Sequence, residues 1–145
     1  MKRFFFIGCL LMLVVWGYSQ VVKVPDNARK DFANRYKSAK SIDWSNKVTN
    51  YQCNFMEGSI ACTAFYNLDG YWSYTEKKIT DEMIPQKTAD SFSKSKYRDW
   101  ESKSKVFIEN NNGQKMYRFE VKKGIEKKYI FIDEDGKTIK ETSSI

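Results

Sequence analysis

The feature that most limits what this chain can fold into is its internal duplication. Val24-Pro25 and Ile84-Pro85 each open a segment with a phenylalanine seven residues beyond the proline, Phe32 and Phe92, a shift of 60 positions. Further along the shift is 66: Tyr51, Gly58, Phe65, Asp69 and Gly70 recur as Tyr117, Gly124, Phe131, Asp135 and Gly136. The second copy therefore carries six extra residues between its helix and its first clear hairpin, and the polar stretch Asn110-Asn111-Asn112-Gly113 accommodates them. A period of this length met only twice is a duplicated half-domain, because an open solenoid needs at least three repeats to bury its faces. The expectation is a single domain over 20–145, with repeats at about 24–79 and 84–145 that share one core.

Each copy reads as a helix followed by antiparallel strands. Pro25 suits a first helical turn, Asp26 sits favourably at its positive end, and Ala28, Phe32 and Tyr36 recur every fourth residue on one face. The second helix repeats this more weakly, with Thr88 and Phe92 four apart and Tyr97 five further on. Strands are predicted over 51–55, 60–66 and 71–75, matched by 116–121, 125–132 and 137–142, with further strands at 42–48 and 106–109. Glu57-Gly58 and Lys123-Gly124 are expected to close the first hairpins, Asp69-Gly70 and Asp135-Gly136 the next. The fold class is α+β: two tandem helix-plus-antiparallel-meander repeats forming one sheet with helices on one face.

The succession Val24-Pro25, Phe32, Tyr36, Trp44, Tyr51-Gln52-Cys53-Asn54-Phe55, Gly58 and Phe65-Tyr66-Asn67-Leu68-Asp69-Gly70, taken up again after Ile84-Pro85, resembles the beta-lactamase-inhibitor-like, or PepSY-like, family of exported bacterial proteins. The resemblance spans the chain beyond residue 19. It implies two α/β repeats sharing a continuous antiparallel sheet, a periplasmic setting, no enzymatic activity, and an inhibitory or binding role. Its motifs are core and turn positions, so no inhibitory contact is carried over, and fold alone does not transfer inhibition.

Export is legible without the resemblance. Lys2 and Arg3 precede an uncharged, mostly apolar run over 4–16, and Gly17-Tyr18-Ser19 supplies small residues where a signal peptidase reads, so residues 1–19 are expected to be a signal peptide cleaved near Ser19. The run is too short for a membrane anchor, which needs about 20 apolar residues. Localisation is then periplasmic or secreted, with no transmembrane segment in the mature chain. Of 25 Lys and Arg against 18 Asp and Glu, cleavage removes two cations, leaving 23 against 18 and a net charge of +5. These charges are interleaved rather than clustered, which argues against nucleic acid as a partner.

The chain has no histidine. That excludes Ser-His-Asp and Cys-His nucleophilic systems, His-ligated metals and imidazole switches. Asp133-Glu134-Asp135-Gly136 starts like a calcium loop, but Thr142 stands where the ligating glutamate belongs, and a hairpin turn is the better reading. Glu76 with Asp81 or Glu82 offers paired carboxylates, yet nothing places them in a cleft. No catalytic residue, cofactor or metal is called for, and the protein is read as a non-enzyme.

Two features remain as candidate sites. Cys53 and Cys62 flank one hairpin in an oxidising compartment, so a disulfide is one reading and two free, half-buried thiols the other. With Glu57-Gly58 as a two-residue loop Cys53 faces Cys62; with Met56-Glu57-Gly58 as a bulged loop it faces Ala61, and Cys62 turns to the other side. The second feature is the aromatic hairpin carrying Phe65, Tyr66, Tyr71, Trp72 and Tyr74, whose neighbours alternate faces, so some rings must leave the helix-covered side. An exposed aromatic strip is what a protein-binding surface uses. Tyr66, Trp72 and Tyr74 form one candidate set; Phe65 and Tyr71 form the other. The expected function is an exported binding or inhibitory module for a protein partner in the cell envelope. The alternative is a small-molecule, lipid or envelope-surface binder, helped by Lys122, Lys123, Lys127 and Lys128.

Overall fold

The computed structural model describes residues 23–143; the signal peptide expected over 1–19, with cleavage near Ser19, lies outside the described residues. Helix α1 (Asp26–Arg35) leads into strands β1 (Lys40–Asn46), β2 (Tyr51–Glu57), β3 (Ile60–Tyr66) and β4 (Trp72–Lys78). After a 3₁₀ turn (Asp81–Met83), helix α2 (Gln86–Ser93) leads into β5 (Glu101–Asn110), β6 (Lys115–Lys123), β7 (Glu126–Asp133) and β8 (Thr138–Ser143). The eight strands form one antiparallel sheet in sequence order, with both helices on the same side. The architecture is thus α+β, two helix-plus-meander repeats on a continuous sheet.

Both prolines stand at the N-cap rather than inside the first turn, and their carbonyls accept from Arg29 and Ala89 to start the helices. Ala28, Phe32 and Tyr36 face the sheet as their spacing predicts. α2 ends at Ser93, so Tyr97 reaches the core from the turn beyond it, which accounts for its five-residue offset. Each helix is clamped to the second hairpin of its own repeat. Asn27 Nδ2 donates to the carbonyl of Asp69 at 2.8 Å, and Thr88 Oγ1 to that of Asp133 at 2.7 Å. Gly70 (φ +81°) and Gly136 (φ +84°) allow that approach: a Cβ would lie 2.5 Å from the Asn27 amide in one case and 2.7 Å from the Lys87 carbonyl in the other.

The expected single core is replaced by two. Under α1, Val24, Phe32, Cys53, Phe55, Ala64 and Tyr66 cluster; under α2, Tyr97, Tyr117, Phe119, Val121, Ile130 and Ile132 do. Seven strand spacings make a sheet roughly 34 Å wide, whereas one helix covers roughly 10 Å of it. The gap between the helices is bridged on the same face by Lys77 Nζ and Glu57 Oε2 at 2.5 Å. The repeats share a sheet, not an interior.

The register of the first hairpin differs from both expectations. Glu57 pairs with Ile60, so the loop is Gly58-Ser59, and in the second repeat it is Gly124-Ile125. Glycine stands first in the turn, as in type II′, rather than second. Cys53 then lies opposite Ala64 and Cys62 opposite Phe55. The two cysteines share the helix-facing side as diagonal neighbours, whose roughly 7–8 Å backbone separation exceeds what a disulfide spans without movement. Both are free and buried, so the disulfide reading of Cys53 and Cys62 gives way to two thiols in the core.

Candidate functional site

The five aromatic residues singled out in the sequence do not form one surface. Between Phe65 and Tyr66 the β3–β4 register shifts: Phe65 pairs with Tyr74 but Tyr66 with Trp72, leaving Ser73 as the extra residue of a bulge. Trp72 and Tyr74, which simple alternation puts on one face, are thereby split. Tyr66 is fully buried beneath α1, and its hydroxyl donates to Asp31 Oδ2 at 2.9 Å. Burial first, then that bond, holds the Tyr66 phenol well above its ordinary range. Trp72 faces the same way, half-buried, its Nε1 donating to Thr75 Oγ1 at 2.9 Å and the Arg35 guanidinium 3.9 Å above its ring. Tyr71 is exposed in the β3–β4 loop, its backbone N–H held by Asn67 Oδ1. Phe65 and Tyr74 stand on the helix-free face, stacked at 4.2 Å with 13° between their planes.

That helix-free face is built by the opposite parity of every strand. Register places Asn54, Thr63, Glu76, Ile108 and Met116 in one row across five strands, and Lys78, Val106, Arg118, Phe131 and Lys140 in the next. At its centre Arg118 Nη1 donates to Glu76 Oε1 at 2.6 Å and Nη2 to Oε2 at 2.9 Å. Arg118 is on β6 and Glu76 on β4, so the pair crosses β5 above Val106 and Ile108. This explains why those two residues are only 5% and 6% exposed on a face no helix covers. The guanidinium also rests 5.4 Å from the Tyr129 ring, and its Nε is buried without an acceptor among the described residues. Beside it Glu120 accepts from Lys127 at 2.6 Å and Ser104 at 2.7 Å; burial opposes ionisation, but these donors outweigh it and hold the carboxyl below its usual range.

Two hollows flank the Glu76–Arg118 pair and share it as a dividing ridge. One, about 440 Å³, is lined by Asn54, Thr63, Lys78 and Val106; the other, about 280 Å³, by Tyr74, Ile108, Met116 and Phe131. Glu76 therefore belongs with Arg118 rather than with Asp81 or Glu82. This partnership was not among the expectations drawn from the sequence. The signal was the parity of 74, 76 and 78 and of 116, 118 and 120, which sets these side chains opposite the apolar series Tyr117, Phe119 and Val121.

Other candidate sites resolve differently. Asp133 Oδ1 accepts the backbone N–H groups of Asp135 and Lys137, closing the β7–β8 hairpin, and among the described residues no cluster of His, Cys, Asp or Glu suits a metal. Burial, reinforced by Asp43, pushes the Cys53 thiol up to about 12, so it is protonated and a poor nucleophile near neutrality. No helix among the described residues is long and apolar enough to cross a membrane.

Among protein-family models and curated proteins none matches this chain. Solved structures do. A BLIP-like protein from Bacteroides fragilis superposes with a TM-score of 0.77 at 18% identity, over 86% of this chain and 89% of that one. The fold is BLIP-like. A DUF2874 family protein from Bacteroides uniformis superposes on this chain with a TM-score of 0.76 at 16% identity, over 83% of this chain and 90% of that one. A protein from Bacteroides eggerthii inferred to be periplasmic gives 0.75 at 18% identity, over 83% and 89%. The beta-lactamase-inhibitor-like part of the sequence resemblance is what these structures support; none of the three is described as PepSY-like, and none as an enzyme.

Proposed function

We propose that this protein is an exported, non-enzymatic binding module that docks a partner protein on the helix-free face of its sheet. The observation that carries the proposal is the division of labour between faces. Both helices and both cores occupy one side, while the other presents stacked Phe65 and Tyr74, the Glu76–Arg118 ridge and two hollows within one surface. Large rigid rings beside a preorganised charge pair are the composition of an interface centre. The apolar leader-like run in the sequence and the Bacteroides eggerthii neighbour support an envelope setting, and the Bacteroides fragilis neighbour supports protein recognition by this fold. Among the five aromatic candidates, Phe65 and Tyr74 would bind, with Tyr71 at the rim and Tyr66 and Trp72 maintaining the scaffold.

A photocrosslinking scan tests this. p-Benzoylphenylalanine placed at positions 74 and 131 in the producing cells should give discrete protein adducts, and the same group at position 30 on α1 and position 94 at the end of α2 should not. Adducts confined to the helix positions would overturn the reading.

A further inference from the structure

The docking face carries a charge imbalance that specifies its occupant. Four of its charges are matched internally, in two pairs: Arg118 by Glu76, and Lys127 by Glu120. Lys78, at the rim of the larger hollow, is exposed and has no ion-pair or hydrogen-bond partner among the described residues. Lys140, in the same row beyond Phe131, lies 5.9 Å from that ring and has no carboxylate partner among the described residues. Of the carboxylates on this face, Asp133 on β7 is taken up by the backbone N–H groups of Asp135 and Lys137, and Asp43 lies at the far edge on β1, three strands along from that of Lys78.

Resting on the docking reading, we infer that the partner is acidic and inserts a carboxylate side chain beside Lys78, with an apolar side chain seated in the neighbouring hollow between Tyr74 and Phe131. The two hollows meet at the Glu76–Arg118 ridge, so one contiguous partner segment fills both. Lys78 and Tyr74 are four residues apart on β4, roughly 13 Å along a strand. That is the reach of two side chains extending from one loop or strand of the partner. The ridge itself is neutral as a pair. Lys78 therefore supplies the attraction for the acid, and the Arg118 stem with Ile108 and Met116 supplies the apolar wall. The unmatched Lys78 ammonium costs nothing in the free protein because it is solvated, and it becomes selective only when a partner surface excludes water around it.

The test uses the full chain with the crosslinking group at position 131. Lys78→Glu should reduce the adduct about tenfold or more, because like charges juxtaposed at an interface are strongly unfavourable. Lys78→Arg should keep it near the parental level, and Lys78→Met should fall between. The partner peptide recovered from the adduct should contain Asp or Glu close to an apolar residue. Parental yield in Lys78→Glu, or a crosslinked segment without a carboxylate, would overturn the acidic-partner inference while leaving the docking face standing. Absence of adducts from both positions 74 and 131 would remove the docking face and this inference with it. Lys78 is exposed and unpaired, so thermal unfolding of the three variants should match the parent; the Lys78→Met comparison keeps the test decisive if reversal of charge alone disturbs the fold.

Discussion

Replacing Arg118 by methionine should destabilise the protein measurably, although no helix covers the face on which it lies. The substitution keeps an apolar stem over Val106 and Ile108 but removes two charge-assisted hydrogen bonds and leaves the Glu76 carboxylate without its partner, with only a fifth of its side chain exposed. Stranding a fully buried charge costs about 3–5 kcal/mol, and partial solvation of Glu76 brings the expectation to about 2–3 kcal/mol. The buried Nε–H of Arg118, which finds no acceptor among the described residues, disappears in the variant and returns roughly 1 kcal/mol. The net loss is therefore about 1–2 kcal/mol, a fall in Tm of roughly 4–8 °C for a chain of this size. Glu76→Met should cost a similar amount, because it leaves the guanidinium without an acceptor. The double variant should lose clearly less than the two singles together, with a coupling energy of about 1–2 kcal/mol. Urea denaturation of the four proteins at pH 7 measures all of this. Strictly additive singles, or an Arg118→Met loss below about 0.5 kcal/mol, would mean that the pair is solvent-screened and does not organise the face.

Gly136→Ala should cost more than Gly70→Ala: both force a side chain into positive φ at about 1–2 kcal/mol, but the new Cβ meets the Lys87 backbone in one case and only the movable Asn27 amide in the other, as denaturation midpoints will register. Ile132→Ala, in the second core, should lose about 2–5 kcal/mol, whereas Ile139→Ala, 40% exposed on β8, should fall within about 0.5 kcal/mol of the parent. Because the Cys53 thiol rises from its ordinary 9.0 to about 12 on folding, its burial supports the native state below pH 9; that contribution should decline between pH 9 and about 12, and Cys53→Ala should flatten this part of the stability profile. Thiol reagents at pH 8 should label neither cysteine in the native protein and both Cys53 and Cys62 in guanidinium.

The architecture was legible in this chain because its signals are local and doubled. Four-residue spacing of Ala28, Phe32 and Tyr36, alternation along 117, 119 and 121, and the Asp-Gly turns at 69–70 and 135–136 each have a single physical interpretation. Register was not legible. Glu57-Gly58 and Gly58-Ser59 both contain the glycine a tight turn needs, and the choice between them shifts the β2–β3 pairing by two residues, which keeps both cysteines on one face but puts Ala64 rather than Cys62 opposite Cys53. The bulge at Ser73 was equally silent, yet it separates Trp72 from Tyr74 and so decides which rings line the candidate site. Glu76 and Arg118 are 42 residues apart and meet across an intervening strand, a juxtaposition that requires the strand order as well as the pattern. A shared core was expected because duplication suggested intimacy; the width of eight strands under two short helices gives one core to each repeat instead.

The most direct test of the account is the affinity of the crosslink-identified partner for Tyr74→Ala and Trp72→Ala, each confirmed to be folded. Tyr74 stands on the helix-free face and Trp72 on the helix side, two residues away in sequence. The account predicts that Tyr74→Ala weakens binding about tenfold or more, as loss of an interface anchor does, while Trp72→Ala leaves Kd within about twofold. A Trp72→Ala protein that loses the partner while Tyr74→Ala retains it would contradict the placement of the site.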